Sequence, residues 1–152
     1  MRRSLFALAL TVAALLTERP ARAASCSFDT VTGLSFGNYD VFAASPTLSA
    51  GNLAYTCTGG ATVTITLSIG SAPSFAPRWL LGPPGAHLQY NLFLDAGHAT
   101  IWGDGTGVTG LYGPNAPADN ATVMVPIFGS IPAGQDVPIG GYSDTITATI
   151  NF

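Results

Sequence analysis

The chain contains no lysine, and beyond residue 23 it has no glutamate and a single arginine, Arg78. A lysine-dependent phosphate loop and a Schiff base are thereby excluded, and no basic track exists to follow a nucleic-acid backbone. Cysteine is scarce: Cys26 and Cys57 are the whole complement, with no C-x-x-C spacing for redox or zinc chemistry. Charged residues make up only 9% of the sequence, and no sustained helical period occurs past the first residues. Long apolar runs are also missing, apart from "MRRSLFALALTVAALL" at the start, which is too short to span a bilayer.

That opening stretch joins Arg2 and Arg3 to an apolar core and is followed by Ala21 and Ala23 in A-x-A register. It reads as a secretory signal, residues 1–23, cleaved after Ala23 or, as the alternative, after Ala24. Residues 24–152 then form one exported domain in which Arg78 faces seven Asp, a formal charge of −6. Disulfides persist in such a compartment, so Cys26 and Cys57 are expected to pair rather than to sit as separate buried thiols.

What the domain does contain is Gly, Pro, Thr and alternation. In "ATVTITLSIG", Val63, Ile65, Leu67 and Ile69 share one face and Thr62, Thr64, Thr66 and Ser68 the other, the signature of a half-buried strand. "YSDTITATINF" repeats it, with Ile146, Ala148, Ile150 and Phe152 against Thr145, Thr147, Thr149 and Asn151. "HLQYNLFLD" and "ATVMVPIFG" alternate similarly, although Pro126 predicts a sheet edge or a bulge in the second. Shorter strands are predicted at "CSFDTV", "LSFGNYD" and "NLAYTCT", and a surface loop over residues 70–86, with Trp79, Leu80 and Leu81 covering one end. Gly- and Pro-rich turns separate these segments, so the fold class is all-β, an Ig-like β-sandwich.

The stretch "YNLFLDAGHATIWGDGTG" gathers the residues with the most chemistry, Asp95, His98 and Asp104. It reads as a hairpin, with a turn at Asp95–Gly97, where Asp bonds its own backbone and Gly takes positive φ. No zinc or calcium-loop spacing surrounds these residues, and no G-x-S-x-G elbow selects a nucleophile. "GDGTG" lacks the lysine and helix of a phosphate loop, and no pair of Asp is singled out for glycoside hydrolysis. An enzyme, a cofactor and a metal site are therefore not expected.

Four motifs in order carry a resemblance: "CSFDTVTGLSFGNYDVFAASP", "YTCTGG", "LQYNLFLDAGHATIWGDGTG" and "VPIFGSIPAGQDVPIGGYSDTITATINF". Together they resemble the spore coat protein U domain family, itself similar to pilin subunits of archaic chaperone-usher pili in Gram-negative bacteria. The resemblance implies an incomplete sandwich lacking its final strand, with Cys26 and Cys57 as the family's disulfide. It also implies partners that supply the missing strand: a periplasmic chaperone, an usher and neighbouring subunits, at the cell surface after transit through the periplasm. Ile146, Ala148, Ile150 and Phe152 are carried over as residues facing the groove or chaperone. Cleavage after Ala23 leaves two residues before Cys26, so the chain is expected to accept a strand rather than donate one, as suits a terminal or accessory subunit. A different class of function, a monomeric carbohydrate- or surface-binding module, would use exposed aromatics such as Trp79, Trp102 and Tyr112.

Overall fold

Alternating apolar residues need a second layer to cover them, and here two antiparallel sheets cover each other. The computed structural model describes residues 22–152, so the signal expected over residues 1–23 lies, but for its last two residues, outside the described residues. Strands β1 (Ser25–Thr32), β2 (Thr47–Thr58), β4 (Arg78–Leu81), β5 (His87–Phe93) and β7 (Thr122–Ile131) form one sheet in the order β1-β2-β7-β5-β4. Strands β3 (Val63–Leu67), β6 (Tyr112–Asn115) and β8 (Ala148–Asn151) form the other, ordered β6-β3-β8.

The inward faces are the apolar sets that period two requires. Leu53, Tyr55 and Cys57 of β2, Val63, Ile65 and Leu67 of β3, and Val125, Ile127 and Ile131 of β7 are buried together with Trp102. Each such side chain stabilises the fold by about 1.5–3 kcal/mol relative to exposure. Edge strand β1 is fastened to β2 by the Cys26–Cys57 disulfide, whose residues are directly opposed in register with Cα atoms 4.2 Å apart.

The one buried cation among the described residues is solvated by the fold itself. Arg78 is 0% exposed. Its Nε and Nη2 donate to the Ser68 carbonyl (3.1 and 3.0 Å), Nη2 also to Trp102 O (2.6 Å), and Nη1 to Asn91 Oδ1 (2.7 Å). Burial lowers its pKa, opposed by the nearby Tyr90 and Asp144. The "loop" expected over residues 70–86 is thus partly a strand, β4, paired with β5 at the edge of the large sheet and anchored by this guanidinium.

Three other expectations change. Pro126 does not mark a sheet edge or a bulge: β7 is central and pairs with β2 in continuous register through Asn52↔Pro126. Its other neighbour, β5, pairs only with Phe128–Ser130, so the ladder on that side stops before the proline. In the hairpin, positive φ falls on His98 (55°) rather than Gly97, and the second arm makes only the isolated bridges Phe93↔Ile101 and Trp102↔Gly110. Finally, "LSFGNYD" forms no strand, and "YSDTITATINF" is a strand only over Ala148–Asn151. The reason for this last pair of departures is the functional site.

Candidate functional site

The two segments that read as strands but have no ladder lie opposite each other. Residues 31–42 continue from β1 and residues 137–148 lead into β8; between them runs a groove of about 1060 Å³. Its floor is the inner face of the large sheet, including Leu53, Leu88, Leu92, Ile127 and Ile131, and Leu67 of the small sheet. Nine residues of extended wall, from Val31 to Tyr39, would span roughly 30 Å.

Burial along the second wall alternates without interruption. Tyr142, Asp144, Ile146, Ala148 and Ile150 are half-buried, and Gly141, Ser143, Thr145, Thr147 and Thr149 are exposed. Inward side chains that stop at half burial have a neighbour on one side only. Backbone bonding agrees: Ser143 exchanges both bonds with Leu81 (2.8 and 3.0 Å) and Thr147 O accepts from Ser68 N (2.9 Å).

The first wall is seated by close approach. A Cβ on Gly129 would collide with Leu34 and with Phe36 Cζ (2.7 Å), and one on Gly51 would meet Thr32 O and Leu34. These glycines of β7 and β2 let Leu34 and Phe36 lie flat on the sheet. Tyr39 ties the wall to the far side of the groove: its hydroxyl donates to Pro132 O and accepts from Gln135 N, both at 2.9 Å. The Gln135 amide in turn mimics a strand partner for Gln89, accepting from its N–H (2.8 Å) and donating to its carbonyl (2.9 Å).

Other edges are blunted. β1 carries a bulge between Phe28 and Thr30, where Asp29 accepts from Thr56 Oγ1 (2.7 Å), and β6 includes Pro114. Such devices discourage strand addition; the groove walls have no proline over Leu34–Tyr39 and Ser143–Ala148, and the one charge there, Asp144, is taken up by the hydroxyls of Ser71 and Tyr90.

Of the residues expected to face a partner, Ile146 and Ala148 line the groove. Ile150 is half-buried against the core, and Phe152, 56% exposed, lies beyond the end of β8. Leu34, Phe36, Tyr39 and Tyr142 were not singled out from the sequence, although "LSF" carries the alternation that marks the first wall.

The hairpin residues are structural. Asp95 accepts from Ala99 N (3.1 Å) and Thr100 N (2.8 Å), bonds that hold its carboxyl below the usual range. Asp104 is lowered in the same way by Thr106, through its hydroxyl (2.6 Å) and its N–H (2.9 Å). The His98 ring stands 5.1 Å from Phe93, edge on. The aromatic surface expected for carbohydrate binding is not assembled: Trp102 is 0% exposed with Nε1 donating to Ile65 O (2.9 Å), and Trp79 is stacked on His87 at 4.3 Å. Tyr112 packs edge-on against Tyr55.

Comparison with known proteins fits this architecture. The chain is 33% identical over 145 residues to Protein U of Myxococcus xanthus, an alignment covering 84% of this chain and 78% of that protein. Its fold matches a chain of the crystal structure of the CsuC–CsuE chaperone–tip adhesion subunit pre-assembly complex, from archaic chaperone-usher Csu pili of Acinetobacter baumannii. That match has a TM-score of 0.58 at 19% identity and covers 86% of this chain and 40% of the other, so the chain spans well under half of that protein. The Spore Coat Protein U domain model matches residues 11–149. The chain belongs to the spore coat protein U domain family and has a pilin-like sandwich fold.

Proposed function

We propose that the exported domain, residues 24–152, is a subunit of a chaperone-usher type surface fibre or coat and is assembled by strand addition into its groove. A periplasmic chaperone fills the groove during transit, and a strand from a neighbouring subunit replaces it after passage through the usher. The observation that carries this reading is the pair of strand-patterned walls, residues 31–42 and 137–148, facing each other across an apolar groove with no strand between them. A ladder on each wall would satisfy backbone groups that otherwise meet water, and apolar side chains on alternate positions would reach the floor.

Ile146 and Ala148 are the residues of the final wall that would touch the incoming strand, with Ile150 and Phe152 nearer the end where it emerges. With cleavage after Ala23, only Ala24 and Ser25 precede Cys26, so the subunit accepts a strand without offering one and suits a terminal or accessory place in the fibre.

The test is thermal unfolding of the purified, oxidised chain, alone and after co-expression with a candidate periplasmic chaperone. A chain that is recovered alone in low yield with a low melting temperature, and that melts markedly higher as a stoichiometric complex with the chaperone, is expected. A monomer that melts cooperatively at high temperature alone, and that a chaperone leaves unchanged, would contradict the reading.

A further inference from the structure

Electrostatics restrict what can occupy the groove. Asp40 lines one wall and Asp144 the other, and Asp136 immediately precedes Val137, where the second wall begins. The hydrogen bond from Gln135 N to the Tyr39 hydroxyl (2.9 Å) draws together the chain positions next to Asp40 and Asp136, so both acids belong to the same end of the groove. Asp40 and Asp136 are exposed. No cation of the exported domain offsets them, because the only one between Ala24 and Phe152 is Arg78, which is 0% exposed and bonded to Ser68, Asn91 and Trp102.

Two apolar side chains project at that same end. Phe42 is 92% exposed and Ile139 101%, and both line the groove mouth. Bare apolar surface beside carboxylates fits one type of side chain, a long aliphatic stem ending in a positive charge, which covers the first and reaches the second.

We infer that the strand filling the groove is cationic: an extended, alternating apolar segment of another protein that carries Lys or Arg where it passes Phe42 and Ile139. This rests on the proposal that the groove accepts a strand. A second copy of the exported domain is a poor occupant, since it has no lysine, buries its one arginine and shares the formal charge of −6. Association with the true partner is electrostatically steered and slows as salt rises.

The test uses the oxidised, exported chain refolded with labelled synthetic peptides of about twelve residues, a length set by the extended walls. The peptides share alternating Val and Ile; one ends in a pair of Lys and the other in a pair of Glu, and anisotropy reports association. The Lys peptide is expected to associate at least roughly tenfold faster at low salt, with the ratio falling towards one near ~1 M NaCl. Asp40→Asn keeps the side-chain oxygen that Phe42 N bonds at 2.9 Å, and is expected to cut the Lys advantage by roughly two- to fivefold, the range of an exposed ion pair. Equal binding of both peptides at low salt would overturn the inference and leave the groove reading standing. Binding of neither peptide at any salt would overturn both.

Discussion

Replacing Ile146 by Asn separates the role of the groove from the stability of the domain. Ile146 is half-buried in the unfilled groove. Full burial of such a side chain is worth about 1.5–3 kcal/mol, so half burial places the cost to the free domain near 1 kcal/mol. An inserted strand would complete the burial, and the variant would then lose about another 1 kcal/mol of apolar contact and strand an amide without partners, a further ~1–3 kcal/mol. The affinity for an alternating apolar peptide should therefore fall by ~2–4 kcal/mol, roughly 30- to 1000-fold. Peptide titration by anisotropy measures the affinity and urea unfolding of the unliganded chain measures the stability, with Thr149→Asn on the outward face of β8 as control. If Ile146→Asn binds peptide as well as Thr149→Asn does, the final wall does not face the occupant and the reasoning is wrong.

Three further outcomes follow from the same structure. Changing Cys26 and Cys57 together to Ser opens a loop with sequence separation 31 and should cost about 3–4 kcal/mol in urea unfolding by the chain-entropy account; a loss under about 1 kcal/mol would show that β1 is held without its bond. Arg78→Ala leaves the Ser68 and Trp102 carbonyls without their donor and Asn91 Oδ1 with only its bond from Leu92 N, so a loss of about 3 kcal/mol is expected, visible as a lower urea midpoint, and an unchanged midpoint would refute the guanidinium's role. Asp95 has a folded-state pKa below its unfolded value, so its contribution is present above the unfolded value and is lost as pH falls through the folded one; Asp95→Asn should lower the urea midpoint at pH ~7, and the difference from the parent should shrink as pH falls below the ordinary carboxylate range.

Much of the fold is legible in the sequence where burial is complete. Val63, Ile65 and Leu67 alternate with threonines and are buried as that pattern requires. Strands β4 and β6 were not legible, because "RWLL" is an arginine followed by only three apolar residues inside a Pro-rich stretch and "YGPN" has the composition of a turn. Pairing across the sheets, Arg78↔Tyr90 and Ile65↔Tyr112, decides both. Pro126 misled for a related reason: a proline excludes a ladder only on the side its missing N–H faces, and β5 stops pairing at Phe128.

The walls of the groove are the most instructive case. "LSFGNYD" and the start of "YSDTITATINF" have the pattern of strands, yet neither has a ladder. Periodicity records the environment a segment needs, whereas hydrogen bonding records the neighbours it has. Gly51 and Gly129, which seat Leu34 and Phe36, carry no pattern that sequence reasoning could use, since their role depends on which wall crosses them.

The central claim, that one strand is missing between these walls, is tested most directly by amide hydrogen exchange, with and without a bound alternating peptide, at residues 33–39 and at Asp144 and Ile146, which alternate with the Ser143 and Thr147 amides already bonded to Leu81 and Ser68. Fast exchange at these positions in the free chain, turning to strong protection when peptide binds, is the predicted result. Protection already present there in the free chain, or peptide binding that leaves them exchanging freely, would contradict it.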